Sequence, residues 1–121
     1  MELNEYQKQA MTTCAPTAEN FVYMMLNLMA ESGELAGKAA KAIRKGEATI
    51  DRDNNLRHPS SRRIDTALED AMRAEAGDVL WQLAGLCHVM GWELEAVGQE
   101  NLAKLKDRQR RDVIVGEGDN R

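Results

Sequence analysis

Glu31 and Glu34, in MAESGEL, and Glu75 and Asp78, in RAEAGDVLWQL, form two acidic pairs with one spacing, i and i+3. On a helix the members of such a pair point within about 60° of one another. Two facing helices bearing both pairs would gather four carboxylates into one oxygen-rich pocket, suited to a hard cation such as Mg²⁺, with Mn²⁺ a possible substitute. Like charges one turn apart weaken a helix by about a few tenths of a kcal/mol per pair. A bound metal would offset that cost.

The neighbours sharpen the reading. Met72, Ala76, Val79, Leu80 and Trp81 surround the second pair, and FVYMMLNLMA leads into the first. Carboxylates in such runs are expected to be partly buried, and a buried charge without a partner is costly. Gly33 and Gly77 lie beside the acids, although glycine inside a helix costs about 1 kcal/mol relative to alanine. They point to close helix approach or to space for a ligand. The plainer alternative is four solvated carboxylates on helix surfaces.

A second group follows at Asn101, Lys104 and Arg108, at i, i+3 and i+7 on one helical face. Beside an acidic metal pocket, the two cations would be placed to hold phosphate oxygens. The Asn101 amide could bind a sugar hydroxyl, a phosphate or a carboxylate. The bland alternative is a basic helix end favoured by the helix dipole.

Four helices are needed to position these residues. Helix one is expected from Asn4 to about Cys14, with Asn4 and Gln7 as a capping box. Pro16 breaks it. Helix two runs from about Thr17 to Lys45, ends at Gly46, and buries a stripe of Phe21, Met25, Leu28, Leu35 and Ala39. Beside the stripe runs a polar line of Asn27, Glu31, Glu34, Lys38, Lys41 and Lys45, acidic in its middle and basic toward its end. Residues 46–63 read as a long, polar, mobile loop. Helix three starts near Ser61 or at Thr66, where Thr66 and Glu69 resemble a capping box, and stops before Gly91. Helix four spans roughly Glu93 to Arg111, without a good N-cap, and turns Leu94, Val97, Leu102 and Leu105 inward. No strand pattern stands out, since Val113-Ile114-Val115 is too short to build a sheet. The expected fold is all-α: one domain over residues 1–121, an antiparallel bundle of about four helices, with a non-helical tail at 113–121.

Composition sets outer bounds. A chain of 121 residues with five aromatics has a modest core, so a second copy is expected to complete the burial, as dimer or tetramer. A net charge of −4 argues against general nucleic-acid binding. Cys14 and Cys87 show no metal-ligand spacing and read as small buried hydrophobes of a reducing, cytoplasmic setting. No leader and no membrane-spanning run is evident. Trp81, Trp92 and His88 read as packing residues rather than site residues.

The acidic pairs and the helix-four pattern together resemble the MazG-type nucleoside triphosphate pyrophosphohydrolases of the all-α NTP pyrophosphatase superfamily. That family carries EExxE on one helix and ExxD on another. Here they read AESGE, from Ala30 to Glu34, and EAGD, from Glu75 to Asp78. NLAKLKDR, from Asn101 to Arg108, resembles the helix-four signature, and the closing GEGDNR resembles the tail of short, single-domain members. Two departures stand out. Ala30 replaces the first Glu of EExxE, and 40 residues separate Glu34 from Glu75. The resemblance implies the reaction NTP + H₂O → NMP + PPi, with Mg²⁺ held by Glu31, Glu34, Glu75 and Asp78. It further implies that Lys104 and Arg108 hold the phosphate chain and that the site lies near a subunit interface. A relative acting on dUTP or phosphoribosyl-ATP would use the same metal cage. A non-catalytic helical interaction module is the reading from another class, and Ala30 is the feature that sustains it.

Overall fold

The computed structural model describes residues 1–116, 118 and 119. Its long elements are α1 (Leu3–Met11), α2 (Phe21–Arg44), α3 (Thr66–Val89) and α4 (Leu94–Arg110). A 3₁₀ turn at Pro16–Ala18 separates α1 from α2, so helix two begins later than its apolar pattern suggests. Proline tolerates the first position of that turn, and Asn20 then caps α2 by accepting the Tyr23 amide at 2.8 Å. Gly46 and Gly91 end α2 and α3 at φ +75° and +73°. In each case the next residue's N–H returns to a carbonyl one turn back, which satisfies groups the helix leaves open.

Asp65, not Thr66, is the N-cap of α3, and its carboxylate accepts the Leu68 amide at 3.4 Å. Asn4 and Gln7 form no capping box on their own helix, because their side chains cap α4 instead. Gln7 Oε1 accepts the Leu94 amide at 2.9 Å and Asn4 Oδ1 accepts the Glu95 amide at 3.0 Å. The missing N-cap of helix four is thus supplied from the other end of the chain. Gln7 also donates to the carbonyls of Ala84 and Trp92, so its amide ties α1, α3 and α4 together.

The loop at 46–63 contains a short antiparallel hairpin, against the expectation of no strands. It pairs β1 (Thr49–Ile50) with β2 (Leu56–Arg57) in the register Thr49↔Arg57 and Ile50↔Leu56. Asp51 organises its turn by accepting the amides of Asp53 and Asn55.

α2 and α3 run antiparallel. Met24 packs on Gly85 at one end, Lys38 meets Glu75 in the middle, and Ala42 neighbours Leu68 at the other. Met24, fully buried, anchors the contact; Phe21 and Met25, assigned inward from the pattern, are exposed. The core proper lies where α1, α3 and α4 meet, around Ala84, Cys87 and Leu94 with Tyr6, Met11 and Val97. Leu94 and Val97 fill it as expected, whereas Leu102 and Leu105, expected inward, are exposed. Cys14 and Cys87 are free thiols, both pushed to higher pKa by burial. Trp81 packs and donates to the Ala10 carbonyl and the Thr13 hydroxyl. No helix among the described residues is long and apolar enough to cross a membrane.

Candidate metal centre

The antiparallel pairing of α2 with α3 brings the two acidic pairs to one level of the groove. Glu31, Glu34 and Glu75 each present a carboxylate oxygen within 4.8 Å of the others. Asp78, one turn beyond Glu75, stands outside that trio. Its charge still reaches the site, since it helps to raise the pKa of Glu31, and it raises that of Tyr6 as well. Three of the four acids converge directly, and the fourth lies in their electrostatic field.

The centre is under-satisfied. Oε2 of Glu31 and Oε2 of Glu75 are buried with no hydrogen-bond partner among the described residues. Burial pushes the Glu31 carboxyl up, and the neighbouring charges and hydrogen bond of Glu34, with Asp78 and Glu75, push it further. The compensation present is weak. Asn27 donates to Glu31 Oε1 at 3.5 Å, and Lys38 lies 3.5 Å from Glu75 Oε1. Buried acceptors of one charge, convergent and unpaired, are the donor set a hard divalent cation takes.

Gly33 and Gly77 do not mediate helix contact. A β-carbon at either would meet nothing within 4 Å, and both are exposed, turned by about 100° or more from the neighbouring acids. The close approach is made at Gly85, where a β-carbon would sit 2.5 Å from Met24 Sδ. Ala30, in place of the first family glutamate, is exposed. Its side chain lies about 40° from that of Glu34, one turn on, and the trio converges without a carboxylate at this position.

The helix-four cations are engaged elsewhere. At the end of α4, Asp112 adopts φ +57° and the chain turns back, with the Val113 amide on the Arg108 carbonyl. The tail then delivers Asp119 to Arg108 at 2.7 Å and to Lys104 at 3.1 Å, while Arg108 also reaches the Gly118 carbonyl. Both cations hold the Asp119 carboxyl below its usual range. Arg108 is buried, and Asn101 is exposed on the same helix. Among the described residues, the ion-pair partner of both cations is Asp119, not the acidic trio. Asp119 was not anticipated, because ten or more residues separate it from its partners and only the reversal at Asp112 joins them. Of the rest of the tail, Glu117, Asn120 and Arg121 lie outside the described residues.

Lys38 and Lys41 reach the site instead. They line a cavity of about 250 Å³ with Glu34, Gly37 and Glu75. A larger one, about 930 Å³, lies in the hairpin loop among Asp51, Arg52, Arg57 and Arg62. It contains none of the clustered acids, and Arg57 there is already bound to three loop carbonyls and Asp51.

Residues 20–112 match the family model described as the MazG nucleotide pyrophosphohydrolase domain. The chain is also similar to the protein called Gene 37 protein of Mycobacterium phage L5. The two are 36% identical over 103 residues, which cover 85% of this chain and 78% of the phage protein. No solved structure matches the chain.

Proposed function

The chain belongs to the MazG nucleotide pyrophosphohydrolase family, and from that premise we propose that it hydrolyses nucleoside triphosphates, ribo or deoxy, to the monophosphate and pyrophosphate with Mg²⁺ or Mn²⁺. The observation that carries this reading is the convergence of the Glu31, Glu34 and Glu75 carboxylates, two of which, Glu31 and Glu75, also bury an oxygen with no partner among the described residues.

Glu31, Glu34 and Glu75 would hold the cation, with Asp78 adding charge from the next turn. A bound divalent cation supplies charge neutralisation at the phosphate oxygens and acidifies a water molecule. The water oxygen bonds to the α-phosphorus, and the bridging bond to the β-phosphate breaks. The electron pair leaves with pyrophosphate, and a carboxylate of the group takes the proton.

Asn101, Lys104 and Arg108 are proposed to engage phosphate oxygens by exchange: the substrate's anion replaces the Asp119 carboxylate. Such an exchange trades one salt link for another, so its net gain is small. The exposed apolar side chains of Val22, Leu26 and Met29 on α2 support a dimer or tetramer, whose partner would cover them.

Incubating the protein with a panel of NTPs, dNTPs, dUTP and phosphoribosyl-ATP in Mg²⁺, and identifying products, tests the assignment. The expected products are a nucleoside monophosphate and pyrophosphate, abolished by EDTA. Release of inorganic phosphate alone, or no metal-dependent turnover of any member, overturns it in favour of a non-catalytic module.

A further inference from the structure

One polar face of α2 continues past the acids into a line of lysines. Glu31, Glu34, Lys38, Lys41 and Lys45 all fall within a sector of about 80° at helical pitch. The cavity shared by Lys38, Lys41 and the acids adjoins a second, of about 240 Å³, also lined by Lys38 and Lys41 and extending to Lys45, Ala67 and Leu68. The two make one groove between α2 and α3. Its acidic end is lined by Glu34 and Glu75, two of the three convergent acids, and its middle is cationic. At its far end Glu47 and Asp65 temper Lys45. From Glu34 to Lys41 is about 10 Å along the helix axis, the scale of a polyphosphate chain.

The lysines also have the weaker prior commitments. Lys104 and Arg108 already share a carboxylate at 3.1 and 2.7 Å. Among the described residues Lys38 has one ion-pair contact, 3.5 Å to Glu75 Oε1 with its own side chain 44% exposed, which is longer, and its cation more exposed, than the Arg108 link to Asp119. Its ammonium already lines the same cavity as Glu34 and Glu75.

We propose that Lys38 and Lys41 form the cradle for the pyrophosphate half of the substrate, binding the β- and γ-phosphates in the α2–α3 groove while the α-phosphate lies at the acids. This rests on the hydrolytic reading above and adds to it the residues that hold the leaving group. An ammonium there meets the charge that builds on the departing oxygen as the bridging bond breaks. Ammonium groups on flexible stems suit a chain whose charge moves during reaction.

Pyrophosphate itself is the probe. Calorimetric titration of inorganic pyrophosphate in Mg²⁺ is compared for the wild type, Lys41→Ala, Lys41→Arg, Lys104→Ala and the control Lys106→Ala. Lys41→Ala is expected to weaken pyrophosphate binding about tenfold or more, Lys41→Arg to restore most of it, and Lys106→Ala to change nothing. The Mg²⁺-induced rise in melting temperature should persist in Lys41→Ala, since the metal is held by the acids. Pyrophosphate affinity unchanged in Lys41→Ala, or lost in Lys104→Ala alone, overturns the cradle. A wild type that binds pyrophosphate through Lys41 yet cleaves no triphosphate keeps the cradle and overturns the hydrolytic reading instead.

Discussion

The two ends of this bundle treat their buried polar groups in opposite ways. Where α1, α3 and α4 meet, Gln7 is buried and satisfied, donating to Ala84 and Trp92 and accepting from Leu94. In the middle of the α2–α3 groove, Glu31 and Glu75 bury oxygens that no described residue satisfies. Both regions contain polar side chains among apolar ones, so composition does not separate them. Hydrogen-bond accounting separates Gln7 from the two acids, although Gln82 Oε1 and Arg108 Nε are also buried without a partner among the described residues. A closed network stabilises a fold, while an open one of uniform charge is a cost the fold carries for a ligand. The difference divides the molecule into a scaffold end and, on the proposed reading, a working groove.

The largest expected effect is in the groove. Glu75→Gln removes a charge from the trio and should reduce triphosphate hydrolysis by at least about a hundredfold, as loss of a metal-holding or transition-state contact does. It should also remove the Mg²⁺-dependent rise in melting temperature. Wild-type activity in the purified variant would show that the trio is not the centre.

At the scaffold end the expectation reverses. Gln7→Ala leaves the Leu94 amide and two carbonyls without their partner and should cost about 2–3 kcal/mol of stability. Urea denaturation measures it, and activity per folded molecule should stay at the wild-type level. A variant that folds normally but loses activity would abolish the division between the two ends.

Glycine substitutions sharpen the same contrast. Gly85→Ala drives a β-carbon into the buried Met24 side chain and should destabilise by about 1–3 kcal/mol. Gly77→Ala meets open space and should be neutral or stabilising by up to about 1 kcal/mol in thermal melts. Loss of stability in Gly77→Ala would place a second copy of the chain against that face.

The groove should also respond to pH in the metal-free protein. The Glu31 carboxyl is raised in the folded state by burial and by Glu34, Asp78 and Glu75. Folding therefore favours its protonated form, and that contribution is lost as pH rises through the elevated value. Without metal, melting temperature should fall across that window in the wild type and change less in Glu31→Gln. Mg²⁺ should diminish the difference, since it stabilises the ionised form.

The smallest effect is assigned to the tail. Asp119→Asn removes one carboxylate from Lys104 and Arg108, but that carboxylate is largely exposed. Stability should change by less than about 1 kcal/mol. A larger loss in denaturation would make the tail part of the scaffold.

How much of this was legible in the residues differs by element. The four helices follow from periodicity and from stop signals at Pro16, Gly46 and Gly91, which act within a few residues of themselves. The burial assignments were less secure. Phe21, Met25, Leu102 and Leu105 carry the apolar pattern yet are exposed, because periodicity shows that a helix has an apolar face and not which neighbour covers it. The hairpin escaped notice because two-residue strands are held by Asp51 and its turn rather than by alternation.

Among the site residues, the pairs Glu31 with Glu34 and Glu75 with Asp78 are legible from sequence alone, since i, i+3 spacing puts each pair on one face. Asp78 standing outside the trio, Lys38 and Lys41 lining the cavity with the acids, and Lys104 with Arg108 holding Asp119 depend on the register of α2 on α3 and the reversal at Asp112. The sequence by itself determined the helices, the family pattern and which residues on each helix share a side. The tertiary structure decided which of those sides meet, because contact between distant segments depends on long-range packing, which local spacing does not encode.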